Sequence, residues 1–162
     1  MDTGHWVWRG NSFDVSEYCG FVYIVRCNHP EERRLYLGRK FFHINFGKKR
    51  KQKESPWRKY LTSSLNVKEA IKKYGKEYFS FDIVNIYKTR AGVVNAEVEL
   101  QWYANVLHTE YEPDMRAYWN GNIGAIKFIS KEKVNNDERN YIRQAYAEHF
   151  GLVSKETNPT KS

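Results

Sequence analysis

Two tyrosines raise the question of chemistry. Tyr23 and Tyr36 each sit at the centre of a short apolar run in YCGFVYIVRCNHPEERRLYLGRKFF, residues 18–42, and the second run leads directly into a block of lysines and arginines. A phenol beside a strongly basic surface feels a field that stabilises phenolate, so its pKa of about 10 is expected to fall toward the working range. Such a tyrosine can accept a proton in phosphodiester hydrolysis. From the hairpin alone the commoner reading of the pair is two cross-strand aromatics, and the functional one needs further residues beside it. Glu97 is the acid to set beside them. It lies midway along TRAGVVNAEVELQWYANVL, at the edge of an apolar helical face, where a carboxylate can reach into a cleft and hold a hard divalent cation. The alternative is a solvated polar stripe formed with Gln101 and Asn105, and Glu99 two residues on is its rival on a different face. The turn WNGN, Trp119 to Asn122, offers asparagines able to contact a phosphate or a cation's water. His43 and His149 lack the spacing of a metal cluster. No glycine-rich dinucleotide fingerprint, P-loop or serine-hydrolase elbow is present, which removes the usual sequence support for those chemistries.

Charge adds a direction. Between Arg39 and Lys59 stand nine basic residues (Arg39, Lys40, Lys48, Lys49, Arg50, Lys51, Lys53, Arg58 and Lys59) against the single acid Glu54, a local excess of +8. The whole chain of 162 residues also carries +8, so its other charges cancel and the excess sits in one segment. A patch of this kind concentrates polyanions. An aromatic content of 16% supplies enough large apolar surface for one folded unit. Neither a signal peptide nor a membrane-length apolar run is evident, so a soluble, intracellular protein with two free cysteines, Cys19 and Cys27, is expected.

These residues need elements to position them. GFVYIVR and RRLYLGR read as strands, with CNHPEE as the loop of an antiparallel hairpin. If that loop is symmetric about the His29–Pro30 bond, Tyr23 and Tyr36 lie directly opposite each other on one face. HINFGKKRKQKESPW shows no period and is left open between a loop, a short helix and an arm. SSLNVKEAIKKYGKE predicts a helix with a capping-box pattern at Asn66 and Glu69 and a stop at Gly75. EYFSFDIVNIY predicts a third strand. Residues 89–107 predict a helix with Val94, Val98 and Trp102 on its apolar side. HWVWRGNSF reads as a short strand or an arm, Pro113 marks a loop, and NNDERNYIRQAYAEHFG predicts a last helix. The expected organisation is a domain over residues 1–130, a C-terminal helix packed on it within 131–151, and a disordered tail over 152–162.

In chain order, GFVY, YLGRKFF, KKRKQK, WRKYLTSS, KYGKEYF and NAEVELQ resemble the GIY-YIG nucleases, most closely the phage-encoded, homing-type members. The tripeptides here are FVY at 21–23 and YLG at 36–38, with Phe in place of the first Gly and Val and Leu in place of the isoleucines. The resemblance covers about residues 5–125. It implies an α+β fold in which a small three-stranded antiparallel sheet is flanked by helices, here with an extra C-terminal helix. It further implies a metal-dependent endonuclease that cuts DNA, double-stranded by preference, and leaves a 5′-phosphate and a 3′-hydroxyl. One Mg2+ or Mn2+ would be held by Glu97, and Tyr23 and Tyr36 inherit the roles of general base and water positioner. Lys40 and Arg58 are the favoured phosphate-steadying cations, and Asn120 matches an asparagine near the end of the catalytic region. Arg39, Lys48, Lys49, Arg50, Lys51, Lys53 and Lys59 are assigned to nucleic-acid binding. A phage enzyme of this kind would act in the host cytoplasm, away from membranes. The rival readings are a cleavage-inactive nucleic-acid binder on the same fold and an interaction protein docking on an acidic partner.

Overall fold

Both sides of the segment Gly20–Cys27 (β1) are apolar, so both must be covered, and the segment forms the centre of a sheet. The computed structural model describes residues 1–152, so all of the expected tail except Leu152 lies outside the described residues. β1 pairs antiparallel with Leu35–Phe41 (β2) on one side and on the other with Phe79–Tyr87, the third strand expected from the sequence. Two small hairpins stand apart from this sheet. His43–Ile44 (β3) pairs with Lys53–Glu54 (β4), and Glu110–Glu112 pairs with Met115–Arg116 across the loop that holds Pro113. The basic tract is therefore the connection of a short hairpin, which the sequence left open.

Three helices complete the order: Leu65–Tyr74 (α1), Arg90–Tyr103 (α2) and Asn136–His149 (α3). With α1 placed between β4 and Phe79–Tyr87, that third strand of the sheet is β5. Ser64, not Asn66, caps α1 by accepting from the Val67 N–H, a bond whose loss costs about 1 kcal/mol. Gly75 ends it at φ 98°, a backbone that disfavours any side chain. α3 has a full capping box, Asn135 with Glu138.

The sheet is covered on both faces. Val22, Ile24, Leu35 and Leu37 meet Val93, Ala96 and Leu100 of α2, with Ile142 and Ala145 of α3 in the same cluster. The opposite face carries Phe21, Tyr23 and Val25, packed with Trp6, Phe42, Trp57 and Val67. The N-terminal arm joins that side: Val7 bonds to β5 at Phe81 and Ile83, and the Trp6 indole donates to the Trp57 carbonyl at 2.8 Å. The inward face of α2 is rotated from the expected stripe, so Trp102 is 62% exposed while Gln101 is buried. No helix among the described residues is long and apolar enough to cross a membrane.

The hairpin register differs from expectation by two residues. Tyr23 pairs with Gly38 and Tyr36 with Val25. The reason is Pro30: it occupies the second position of a turn closed by the Glu32 N–H to the His29 carbonyl at 3.0 Å, the position its fixed φ favours. The turn centre moves to the Pro30–Glu31 bond. A shift of two keeps both tyrosines on one face, as diagonal rather than direct neighbours.

Candidate active site

Gly38 explains how the two phenols share one floor. A Cβ there would lie 2.7 Å from Cζ and Oη of Tyr23 and 2.8 Å from Cε1 of Tyr36, so both rings close over a position that only glycine leaves open. Their centroids are 6.1 Å apart, and the Tyr60 ring stands 6.3 Å from that of Tyr23. The hydroxyls are held from the segment ahead of α1. Tyr23 donates to Thr62 Oγ1 at 3.4 Å, and Thr62 in turn accepts the Ser64 N–H at 3.1 Å. The Tyr36 hydroxyl lies 3.4 Å from Ser63 Oγ. The cap residue of α1 is thus tied to Tyr23 through the one intervening hydroxyl of Thr62, and Tyr36 meets the neighbouring Ser63 directly. Tyr60, Thr62 and Ser63 were not singled out from the sequence. Their signal was the hydroxyl-rich YLTSS directly after the basic WRK.

The expected fall in phenol pKa is reversed. Burial pushes Tyr23 well above its ordinary value, with Tyr60 adding to the effect. Burial also raises Tyr36, against the Ser63 hydrogen bond and with the negative charge of Glu97 adding to it. Desolvation outweighs the surface field because the basic tract is exposed and screened, whereas the phenols are in the core. Both tyrosines are neutral hydroxyls at neutral pH rather than stored phenolates.

Lys40, on the same face of β2, places its ammonium 4.2 Å from the Tyr60 ring centroid, and burial lowers its pKa. Arg39, the next residue back, points to the other face and donates from Nη1 to Glu97 Oε1 at 2.6 Å. Arg39 was assigned to nucleic-acid binding at large, and the structure instead sets it against the central carboxylate. The Glu97 side chain is 12% exposed, and burial raises its pKa while Arg39 partly offsets that rise. Glu99 is exposed. The polar stripe of α2 turns toward the edge strand rather than solvent: Gln101 Nε2 donates to the Leu37 carbonyl at 3.0 Å. Glu97 and Tyr36 approach the edge of β2 from its two faces.

Of the other two expected members, Arg58 lies apart from the phenols and Glu97, whereas Asn120 is fixed on the strand that carries Tyr36. Arg58 is bound to Glu54 and to the Asp2 carbonyl, and its guanidinium stacks 4.4 Å from the Trp57 ring. Among the described residues no hydrogen bond or ion pair joins it to the phenols or Glu97. Asn120 is buried with both amide atoms on Leu37, Oδ1 accepting its N–H at 3.0 Å and Nδ2 donating to its carbonyl at 2.8 Å. It continues the ladder along an edge strand and so holds β2 at Leu37, between Tyr36 and Gly38. Lys48, Lys49, Arg50, Lys51, Lys53 and Lys59 are exposed around the β3–β4 hairpin and the turn after it.

A hard divalent cation fits what remains. Among the described residues no three His, Cys, Asp or Glu side chains converge, and Arg39 engages only Oε1 of Glu97. One carboxylate oxygen without a cage suits an ion such as Mg2+, which keeps several waters and takes its other ligands from substrate phosphates.

Residues 6–123 match the family described as "Putative endonuclease segE, GIY-YIG domain". Searches of curated proteins and of solved structures returned no match. The matched span ends before α3. It contains the two phenols, Gly38, Lys40, the Arg39–Glu97 pair and Asn120, on a β2-β1-β5 antiparallel sheet with helices on both faces. The chain belongs to the GIY-YIG endonuclease family, whose members are phosphodiesterases acting on nucleic acid.

Proposed function

We propose that the chain is a metal-dependent endonuclease that hydrolyses phosphodiester bonds of double-stranded DNA, with a single Mg2+ or Mn2+ at Glu97. The observation that carries this reading is the largely buried Glu97 carboxylate with one oxygen on Arg39 of β2, the strand that carries Tyr36 on its other face. The order of its motifs, closest to phage-encoded relatives, supports a phage origin and action in the host cytoplasm. Residues 1–130 would form the catalytic domain, and the helix within 131–151 a support packed on it.

A divalent cation at Glu97 supplies charge neutralisation and Lewis acidity on the scissile phosphate. The chain's own groups do the rest. Lys40 pairs with a non-bridging phosphate oxygen, and Arg39, fixed by Glu97, faces the charge that grows as phosphorus becomes five-coordinate. Tyr36 orients the attacking water through its phenol oxygen. As that oxygen takes the water's proton, its own proton passes to Ser63, whose exposed hydroxyl gives up its own proton to solvent. A relay of this kind needs no standing phenolate, in keeping with the raised pKa. Tyr23, locked by Thr62, holds Tyr36 in place. The P–O3′ bond breaks as the water oxygen bonds to phosphorus, the leaving 3′-oxygen takes a proton from solvent water, and the products would be a 5′-phosphate and a 3′-hydroxyl.

A supercoiled plasmid incubated with the protein in Mg2+ should be nicked and then linearised, with ends that DNA ligase can rejoin, and EDTA should stop the reaction. Equal cutting in EDTA would refute the metal requirement. Cutting of structured RNA with no cutting of DNA would refute the substrate.

A further inference from the structure

Beside the catalytic pair, a groove of about 620 Å³ runs between the outer side of α2 and the extended segment Gly124–Phe128. This volume is in the range of built ligand sites. Its floor is apolar, from Val94 and Val98, and three cations line it: Arg39, Arg90 and Lys127. No acidic side chain does. Arg90 is held in place by its guanidinium lying 4.5 Å from the Phe41 ring centroid, with that of Arg39 at 5.8 Å from the same ring. At the lip, Phe128 is 74% exposed.

The outer wall is pinned at two points. Asn95 Nδ2 donates to the Phe128 carbonyl at 2.9 Å. Glu132 accepts the backbone N–H groups of Lys88 at 2.8 Å and Thr89 at 2.7 Å, which caps the start of α2. Gly92 permits that approach, because a Cβ there would lie 2.3 Å from Glu132 Oε1. The family match ends at residue 123, so this wall is built by residues that follow it.

We propose that this groove receives the nucleotide flanking the scissile phosphate, its phosphate held by Arg90 and Lys127 and its base, turned out of the duplex, laid against Phe128. This rests on the endonuclease reading above and adds to it a subsite made by the chain beyond the family core. Cations along an apolar cleft with an aromatic at its mouth suit a backbone phosphate and a base together, since stacking tolerates any base and the charges track the strand. Arg39 belongs to both the groove and the catalytic pair, which makes the two continuous. A second copy of this chain is disfavoured as occupant, because it carries +8 overall and would meet Arg90 and Lys127, neither of which forms an ion pair among the described residues.

The test uses the full chain and a fluorescein-labelled DNA duplex, titrated by anisotropy across a salt series in EDTA. Arg90→Ala with Lys127→Ala should reduce the slope of log K against log salt by about 1 unit, for the one phosphate that the two cations hold. Phe128→Ala should raise Kd roughly 5- to 100-fold at fixed salt, the range of one lost base stack. In Mg2+, all these variants should show the loss in KM while kcat at saturating DNA is kept. Wild-type slope and Kd in both variants would overturn the subsite while leaving cutting by the parent chain intact. A parent chain that binds but never cuts would instead overturn the endonuclease reading, and the slope comparison would still decide the groove. If Phe128→Ala changes the sedimentation coefficient with concentration and leaves DNA binding alone, the surface joins two copies and the proposal is wrong.

Discussion

The chain has two sets of cations that follow each other closely in sequence and differ in almost every physical respect. Arg39 and Lys40 lie on opposite faces of an edge strand, one against a buried carboxylate and the other over an aromatic ring. Lys48 to Lys53 lie around a small hairpin, all exposed, and among the described residues none of them forms an ion pair. Composition counts both sets alike. In a partly dry site a cation is strongly coupled to its neighbours and fixed in space, whereas exposed lysines act mainly through a screened field. On the proposed function the first set serves chemistry and the second holds a polyanion nearby, and substitutions should then separate turnover from affinity.

The largest effect should come from the carboxylate at the heart of the first set. Glu97→Gln keeps the size of the side chain but removes a charged ligand for a hard ion. Mg2+-dependent nicking should be abolished while DNA affinity in a gel shift is kept or slightly tightened, because one local repulsion disappears. Glu99→Gln, on the exposed side of the same helix, should cut normally. A dead Glu99→Gln beside an active Glu97→Gln would move the metal ligand by two residues. The pH profile sharpens the point. Burial raises the Glu97 pKa above its ordinary 4.5, so the ionised form needed for the cation is lost on acidification sooner than for a solvated glutamate. The acidic limb of the rate should lie above that value. The same shift gives stability that is full below the unfolded pKa and is lost as pH rises through the folded one, a dependence that Glu97→Gln should lack.

Next in size is the floor under the phenols. Gly38→Ala adds one methyl group within 3 Å of both rings, with the strand backbone holding its Cβ in place. The rings must move, and a displacement near 1 Å can cost about 10²-fold in rate. Cutting should fall by that order while the salt dependence of binding stays the same. Tyr36→Phe should lose about as much, because its hydroxyl faces Ser63 and the field of Glu97. Tyr23→Phe should lose less, since its hydroxyl reaches the site only through Thr62. Full activity in both Phe variants would mean that the pair only packs.

What the sequence reveals of this arrangement follows from how locally each feature is encoded. The hairpin, the third strand, the three helices and the stop at Gly75 are legible because period and capping are local. The tyrosine register was missed by two residues, since it depends on where Pro30 sits within its turn rather than on apolar pattern. The basic tract between His43 and Glu54 has no period because its hairpin strands are two residues each, held by contacts such as His43 Nε2 with the Val15 carbonyl at 2.8 Å. Glu97 was legible as a candidate but its partner was not: Arg39 is 58 residues away, and only the fold decides that Arg39 rather than Arg58 meets it. The direction of the phenol pKa was misread for a similar reason. Charge near in sequence was visible, whereas burial by Tyr60 and Trp6 was not.

The smallest effect on chemistry, and the sharpest break between the two cation sets, should come from the hairpin. Changing Lys48, Lys49, Arg50 and Lys51 together to alanine removes four exposed charges without emptying any packed position. If each meets a phosphate, the slope of log K against log salt should flatten by about 3 to 4 units from a starting value of about −4 to −5, at roughly 0.9 per contact. Affinity at low salt should drop steeply while kcat at saturating DNA stays within about twofold, because no transition-state contact is lost. The thermal midpoint should hardly change, since exposed lysines contribute little to stability. An unchanged salt slope would place the duplex elsewhere, leaving Lys40, Arg90 and Lys127 to carry the binding. A large fall in kcat with an unchanged slope would show that the hairpin closes over the site during the reaction, and the division between holding and chemistry would then fail.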